Sequence, residues 1–226
     1  MRVLAIDTAL AACSVAVFDS DANRILASQS LQMTRGHAEA LMPLVERVMA
    51  DAVTAFSGID RVAVTTGPGS FTGLRVGVAA ARGIALAAEK PAVGITTLSA
   101  YAAPHQAEGR FPIIAAIDAR HDHVYFQVFA PGGRRQGEPR LAPLREAVEA
   151  AAAAPARLVG SAAQTIAAAL SENDAAPVSV ESRAAPDIAW VARLGALSAD
   201  GASPPVPQYL RAPDAQPQYA AQLPRR

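Results

Sequence analysis

The chain has one lysine, one cysteine and no net charge: Lys90 and Cys13 stand alone among 226 residues, and 20 basic side chains balance 20 acidic ones. A single cysteine excludes a disulfide framework and suits a reducing compartment, so the cytoplasm is the expected location. Zero formal charge argues against a chain that holds nucleic acid nonspecifically by itself, because that task shows as a basic excess or patch. RNA contact would be shared with other chains. No uncharged apolar run reaches the ~18 residues of a membrane-spanning helix, and Met1-Arg2-Val3-Leu4-Ala5-Ile6-Asp7 reads as a strand rather than a signal peptide. What remains is 51% hydrophobic, enough for one large or two small globular domains.

The most informative stretch runs from Gly67 through Pro68, Gly69, Ser70 and Gly73 to Gly77, joining the β-branched run Arg61–Thr66 to a helix. Gly67, Gly69 and Gly73 permit close approach of another group, and the helix start aims unpaired N–H groups at the loop. An anion or a tightly packed neighbour would suit it. Spacing removes three functions. A Walker A loop ends in Gly-Lys-Ser/Thr, whereas Lys90 lies far outside the loop. A dinucleotide fingerprint is one residue shorter and needs an acidic residue closing the next strand, where Ala92–Thr96 runs into Thr97. A nucleophile elbow needs glycines two residues either side of the serine, where Ser70 has Pro68 and Thr72.

Two lobes begin alike. Val3–Asp7 and Ile113–Asp118 are apolar runs ending in Asp, each followed by a second strand, and a shift of 111 residues places Ala116-Ile117-Asp118 on Ala5-Ile6-Asp7 and Val128-Phe129 on Val17-Phe18. Two words held at one separation indicate an internal duplication. Third strands follow at Arg24–Leu31 and Arg135–Leu141. Helices are then expected over Gly36–Phe56, Gly73–Ala88, Pro143–Ala154, Gln164–Ser171 and Pro186–Ala199. Further strands are expected at Arg61–Thr66, Ala92–Thr96, Arg157–Gly160 and Pro177–Val180. The pattern is α/β. It divides into a first lobe over 1–105, a second over 106–200 closed by the Pro186–Ala199 helix, and a proline-rich tail over 201–226. The tail reads as extended or disordered apart from Pro207-Gln208-Tyr209-Leu210-Arg211, a candidate docking segment.

Two helices of the first lobe carry more apolar surface than one sheet face covers. Leu41, Leu44, Val45 and Val48 form one stripe, and Met42, Met49 and Val53 widen it. The next helix has Arg75 and Arg82 as its only charges up to Ala88. Either a layer of the same chain covers the excess or a partner's helices do. The candidate interface is His37, Leu41, Met42, Val45, Met49, Leu74, Arg75, Val78 and Arg82.

These residues resemble the bacterial TsaB family of tRNA threonylcarbamoyladenosine biosynthesis proteins. The likeness runs through Leu4–Thr8, His37–Leu44, Gly67–Gly77, Gly94–Leu98, Ile117–Arg120 and Pro207–Arg211, nearly the whole chain. It implies an actin-like or sugar-kinase-like (ASKHA) duplicated two-lobe fold with mixed sheets flanked by helices. It also implies a non-catalytic subunit for threonylcarbamoylation of the adenosine beside the anticodon in tRNAs reading A-starting codons. The implied partners are the catalytic paralogue TsaD, the ATPase TsaE and, through the complex, tRNA, with a homodimer when the chain is alone. No cofactor of its own is implied, ATP or ADP being a matter for the complex. Where TsaD holds a metal through His-x-x-x-His, the corresponding positions look like Thr97 and Tyr101, neither a first-choice transition-metal ligand. His37, His105, His121 and His123 do not rebuild the pair, the last two alternating along a strand, so no metal site is expected.

In related kinases the hairpin aspartates position Mg-bound phosphates. That opens an alternative, an autonomous ATP-binding phosphotransferase or ATPase with a nucleotide site at Asp7, Thr8, Gly67, Gly69 and Asp118. Against it, an Asp ending a strand also caps the next turn, no general base for a sugar hydroxyl stands out, and His121-Asp122-His123 departs from the family's Gly-Glu type of turn. A peptidase reading, carried by an old family name, lacks both an elbow and a zinc motif.

Overall fold

The computed structural model describes residues 1–171, 176–199, 201 and 203–211. Two five-stranded sheets are built the same way. The first joins β1 (Arg2–Asp7), β2 (Ala12–Asp19), β3 (Arg24–Gln32), β4 (Arg61–Gly67) and β5 (Ala92–Thr96) in the order β3-β2-β1-β4-β5. The second joins β6 (Ile113–Asp118), β7 (His123–Phe129), β8 (Arg135–Pro143), β9 (Arg157–Val159) and β10 (Ser179–Glu181) in the order β10-β9-β6-β7-β8. Read from the hairpin side, both are an antiparallel meander extended by two parallel strands. The expected duplication is therefore a duplication of topology.

The two hairpins are not in the same phase. Asp7 pairs with Ser14 around residues 8–13, whereas Asp118 pairs with Val124 around residues 119–123, one residue fewer. Side chains alternate faces along a strand, so one residue of offset changes the face. Val17 and Val128 both pack on the helix-pair side of their sheets, as the 111-residue shift requires. On β1 and β6 that shift fails: Ile6 packs on the helix-pair side, but Ile117 packs on the opposite face. Ala116 occupies the place of Ile6, and Ile117 that of Asp7.

Each sheet carries a helix pair on one face. In the first lobe these are α1 (His37–Asp51) and α2 (Phe71–Ala87); in the second, α4 (Leu144–Ala152) and α5 (Ala163–Ser171). Leu41, Leu44, Val45, Val48 and Met49 of α1 recur at helical spacing and bury against Leu4, Ile6, Val15 and Val17. α2 buries a narrower line of Gly73, Leu74, Gly77, Val78, Ala81 and Ala85. On the opposite faces the chain crosses over. α3 (Thr97–Ala102) leaves the first sheet and lays Leu98, Tyr101 and Ala102 on Ile113, Ala115 and Ile117 of the second. α6 (Ile188–Leu197), expected to close the second lobe, instead packs Ile188, Val191 and Ala192 on Val3, Ala5, Ala16 and Ala63 of the first. Buried Arg61 holds it there, donating to the Gly195 carbonyl at 2.8 Å, which also accepts from the Ser198 N–H, and to the Ser198 carbonyl at 2.6 Å, both at the C-terminal end of the helix. No helix of the described residues is long and apolar enough to cross a membrane.

Candidate functional site

The glycine loop is filled by its own chain. Ser70 caps α2, its hydroxyl accepting from the Gly73 N–H at 3.3 Å, while its own N–H donates to the Ala9 carbonyl at 2.7 Å. A Cβ on Gly69 would stand 2.4 Å from the Ala9 carbonyl oxygen, one on Gly73 2.1 Å from that of Thr8, and one on Gly77 2.4 Å from the Thr8 hydroxyl. That hydroxyl also donates to the Gly73 carbonyl at 2.7 Å. The β1–β2 turn is therefore a tightly packed neighbour of this loop. The thin face of α2 made by Gly73 and Gly77 points inward and is not a docking face.

Asp7 and Asp118 do different things. Asp7 is fully buried; its Oδ1 accepts from the Thr65 hydroxyl at 2.5 Å and the Ala9 N–H at 3.0 Å, and its Oδ2 has no hydrogen-bond partner. Burial pushes its pKa above the ordinary carboxylate range, against the opposing pull of those two bonds and of His37. Asp118 is exposed, and its Oδ1 accepts from the Arg120 N–H at 2.8 Å, capping the turn into β7. His121 and Asp122 lie in that turn with φ of +52° and +55°, not on the strand, where only His123 begins β7.

A cleft of about 610 Å³ separates the lobes. The first lobe contributes Ala9, Leu10, His37, Gly69 and Ser70, and the second Asp118, Ala119, Arg120, Tyr125 and Ser161; residues 208–211 line it as well. Of the proposed nucleotide-site residues, only Gly69 and Asp118 reach this lining. Asp7, Thr8 and Gly67 are buried. His37 is also turned inward, its Nε2 lying 3.1 Å from the Leu10 carbonyl, which ties the start of α1 to the β1–β2 turn.

Among the described residues no group of three His, Cys, Asp or Glu comes together to hold a metal. Thr97 is fully buried at the start of α3, and the Tyr101 hydroxyl donates to the Arg183 carbonyl at 2.8 Å, its pKa raised by burial.

The candidate interface divides cleanly. Leu41, Val45, Met49, Leu74 and Val78 belong to the chain's own core and cannot meet a partner. Their burial was legible as a stripe, but the stripe alone did not tell sheet from partner. Met42, Arg75 and Arg82 are exposed, as the outer face requires. The structure adds neighbours outside the candidate interface: Ala79 and Gly83 leave that face of α2 low, Leu86 is 82% exposed at its end, and Val53, which the sequence placed on the widened stripe of α1, is 90% exposed. Arg75 also stacks 3.8 Å over the Phe71 ring and donates through Nε to the Tyr209 hydroxyl at 3.0 Å.

The match to known proteins is broad. Residues 24–184 match the family described as TsaD, tRNA N6-adenosine threonylcarbamoyltransferase. The chain is 40% identical over 127 residues to the tRNA threonylcarbamoyladenosine biosynthesis protein TsaB of Escherichia coli, 56% of this chain and 54% of that one. It spans about half the length of the TsaB relatives it matches. A crystal structure from Pseudomonas aeruginosa, of a protein with similarity to peptidase YeaZ, superposes with a TM-score of 0.76 at 29% identity, covering 93% of this chain and 99% of that one. A ROK hexokinase from Thermus thermophilus, with a TM-score of 0.53 at 16% identity over 87% and 99% of the two chains, shares the sugar-kinase-like fold alone. With the family match over most of its length, TsaB among its relatives and a YeaZ-like structure superposing on 93% of it, the chain belongs to the family described as TsaD, tRNA N6-adenosine threonylcarbamoyltransferase.

Proposed function

We propose that this chain is a non-catalytic subunit in threonylcarbamoylation of the adenosine adjacent to the anticodon in tRNAs reading A-starting codons, and that it acts by packing on the catalytic paralogue TsaD. The observation that carries the reading is the outer face of α1 and α2. Once the chain's own sheet has taken Leu41, Val45, Met49, Leu74 and Val78, α1 still exposes Met42, and α2 exposes the small residues Ala79 and Gly83 at helical spacing with Leu86, Arg75 and Arg82. Small residues let a second helix approach closely, and apolar rims exclude water from the contact. Burying this face would stabilise the partner's working conformation by mass action. TsaE enters as the ATP-handling component, tRNA meets the assembled complex, and without TsaD the same face pairs two copies of this chain.

Two features speak against the phosphotransferase alternative. Asp7 is spent inside the fold on Thr65 and Ala9, and the glycine loop, the candidate phosphate cradle, packs on Thr8 and Ala9. The test is co-purification with TsaD after Gly83→Arg or Ala79→Arg. Both positions are exposed, and a Cβ on Gly83 meets nothing within 4 Å, so the fold is left intact. Loss of the complex with an unchanged melting temperature is expected; a complex that survives both changes would remove the interface. Calorimetry with Mg-ATP on the isolated chain separates the alternative, which demands binding that Asp118→Ala abolishes.

A further inference from the structure

The end of β4 carries a groove built around a peptide. Past α6 the chain stays on the first lobe, and Pro205 is buried beside Gly94, where a Cβ would come within 3.4 Å of it. The Gln208 N–H donates to the Thr66 carbonyl at 2.7 Å, the bond that an added strand would make. Gly67 makes room for it, since a Cβ there would stand 2.8 Å from the Gln208 carbonyl oxygen. Tyr209 is clamped, its ring centroid 5.0 Å from that of Phe71 and its hydroxyl accepting from Arg75. One main-chain bond and a side chain laid on an aromatic ring and an arginine are elements by which sheet ends recognise extended peptides, even with the Tyr209 ring partly exposed.

The sequence repeats the central triplet of this segment. Pro207-Gln208-Tyr209 recurs as Pro217-Gln218-Tyr219, ten residues on. Aligned on the tyrosines, the second copy has Ala215 in place of Pro205, and Ala220 and Ala221 in place of Leu210 and Arg211. The difference matters because Arg211 donates to the Ala119 carbonyl at 3.5 Å, on the second lobe. The first copy therefore ties the lobes together beside the cleft, and the second has no side chain to do so.

We propose that the groove of Thr66, Gly67, Phe71, Arg75 and Gly94 is a binding site for an extended Pro-Gln-Tyr peptide, filled here by residues 207–209 and open to residues 217–219 when the first copy leaves. The first register is the resting one, because it alone keeps Pro205 beside Gly94 and Arg211 on the Ala119 carbonyl. In the second register the groove stays filled while the tie across the cleft is gone. The added slack costs little, since loop-closure entropy grows only with the logarithm of loop length.

Hydrogen exchange by mass spectrometry on the full-length chain tests this, with the core strand β2 as internal control. In the parent protein, residues 205–211 should exchange at least tenfold more slowly than a free peptide of that sequence. Tyr209→Ala should move the protection to residues 215–221 and speed exchange at 119–122, while Tyr209→Ala with Tyr219→Ala should protect neither copy. A synthetic peptide spanning residues 203–211 should bind the double variant at least tenfold more tightly than the same peptide with alanine for tyrosine. Unprotected 205–211 in the parent, protection that fails to appear at 215–221 in Tyr209→Ala, or equal binding of the two peptides would each overturn the proposal.

Discussion

Val53 closes α1 in a backbone conformation that a β-branched residue resists. The helix ends in a Schellman motif: the Thr54 N–H donates to the Met49 carbonyl at 3.1 Å and the Val53 N–H to the Ala50 carbonyl at 2.9 Å. The motif places Val53 at φ +48°, where glycine is the usual residue. The left-handed region costs a non-glycine residue about 1–2 kcal/mol. Val53→Gly removes that strain but gives back about 0.5–1 kcal/mol through the freer unfolded chain. The side chain is 90% exposed, so lost burial adds at most a few tenths of a kcal/mol. The net expectation is a gain of about 0.5–1 kcal/mol, a rise of roughly 1–4 °C in melting temperature for a domain of this size. Calorimetry together with urea unfolding at constant m-value measures it. Glu89, at φ +54° in the same motif at the end of α2, supplies a second site for the same exchange. A melting temperature equal to or below the parent's for both variants would refute the strain argument. If Val53 belongs to the partner face, Val53→Gly should also weaken association with TsaD while it stabilises the chain, the signature of strain retained for function.

Gly73→Ala should destabilise the chain severely, because its Cβ would lie 2.1 Å from the Thr8 carbonyl oxygen and backbone cannot yield as a side chain can; a loss of about 2 kcal/mol or more in urea unfolding is expected, and a loss below 0.5 kcal/mol would show that the turn is not held as described. Asp7 sets a pH dependence. Its folded pKa is raised, so its stabilising contribution is complete below the ordinary carboxylate pKa and falls away as pH rises through the folded value. Asp7→Asn keeps an oxygen for Thr65 and Ala9 and should flatten that part of the stability profile; an unchanged slope in thermal melts across the acid-to-neutral range would contradict it. Arg61→Met should release α6 from the first sheet, with faster exchange at residues 188–198 and a cost of about 3 kcal/mol for the uncapped carbonyls and lost packing; equal exchange there would remove Arg61 from that role.

Much of the fold could be read from local pattern, because local pattern is what determines it. Three β-branched or apolar runs, two helical stretches and a Gly-Pro-Gly junction place β1, β2, β4, α1 and α2 within a few residues of where they lie. What could not be read was long-range. Nothing in Ile188–Leu197 says which sheet it covers, since an apolar helix fits either inner face; the choice is made by Arg61, 134 residues away from its acceptor on Gly195. The glycines of α2 were correctly seen as places of close approach, but the occupant, Thr8 and Ala9, lies more than sixty residues earlier and leaves no mark in the loop itself. The candidate interface mixed core and surface for the same reason: Val45 and Met42 differ by three residues and a rotation, and only the position of the sheet decides which is inside. The strap was legible as Pro-Gln-Tyr-Leu-Arg, yet its partners Thr66, Phe71 and Arg75 were not. The expectations for residues beyond 211 lie outside the described residues.

The paired aspartates show how a true duplication can mislead about chemistry. Both lobes do begin with an apolar strand ending in Asp, and both strands sit in the same place in sheets of the same order. Because the second turn is one residue shorter, the place of Asp7 is taken by Ile117, and Asp118 falls on the other face. Asp7 thus points toward the layer that holds α3, close enough for its charge to raise the Tyr101 hydroxyl pKa further, whereas Asp118 lines the cleft. A phosphate held between two lobes needs carboxylates that face each other across it, through a metal. A one-residue offset in one hairpin leaves one of the pair inside the protein. The orphaned Oδ2 of Asp7 is absent from the lining of the cleft, and its burial is what raises the carboxyl pKa and links it to stability.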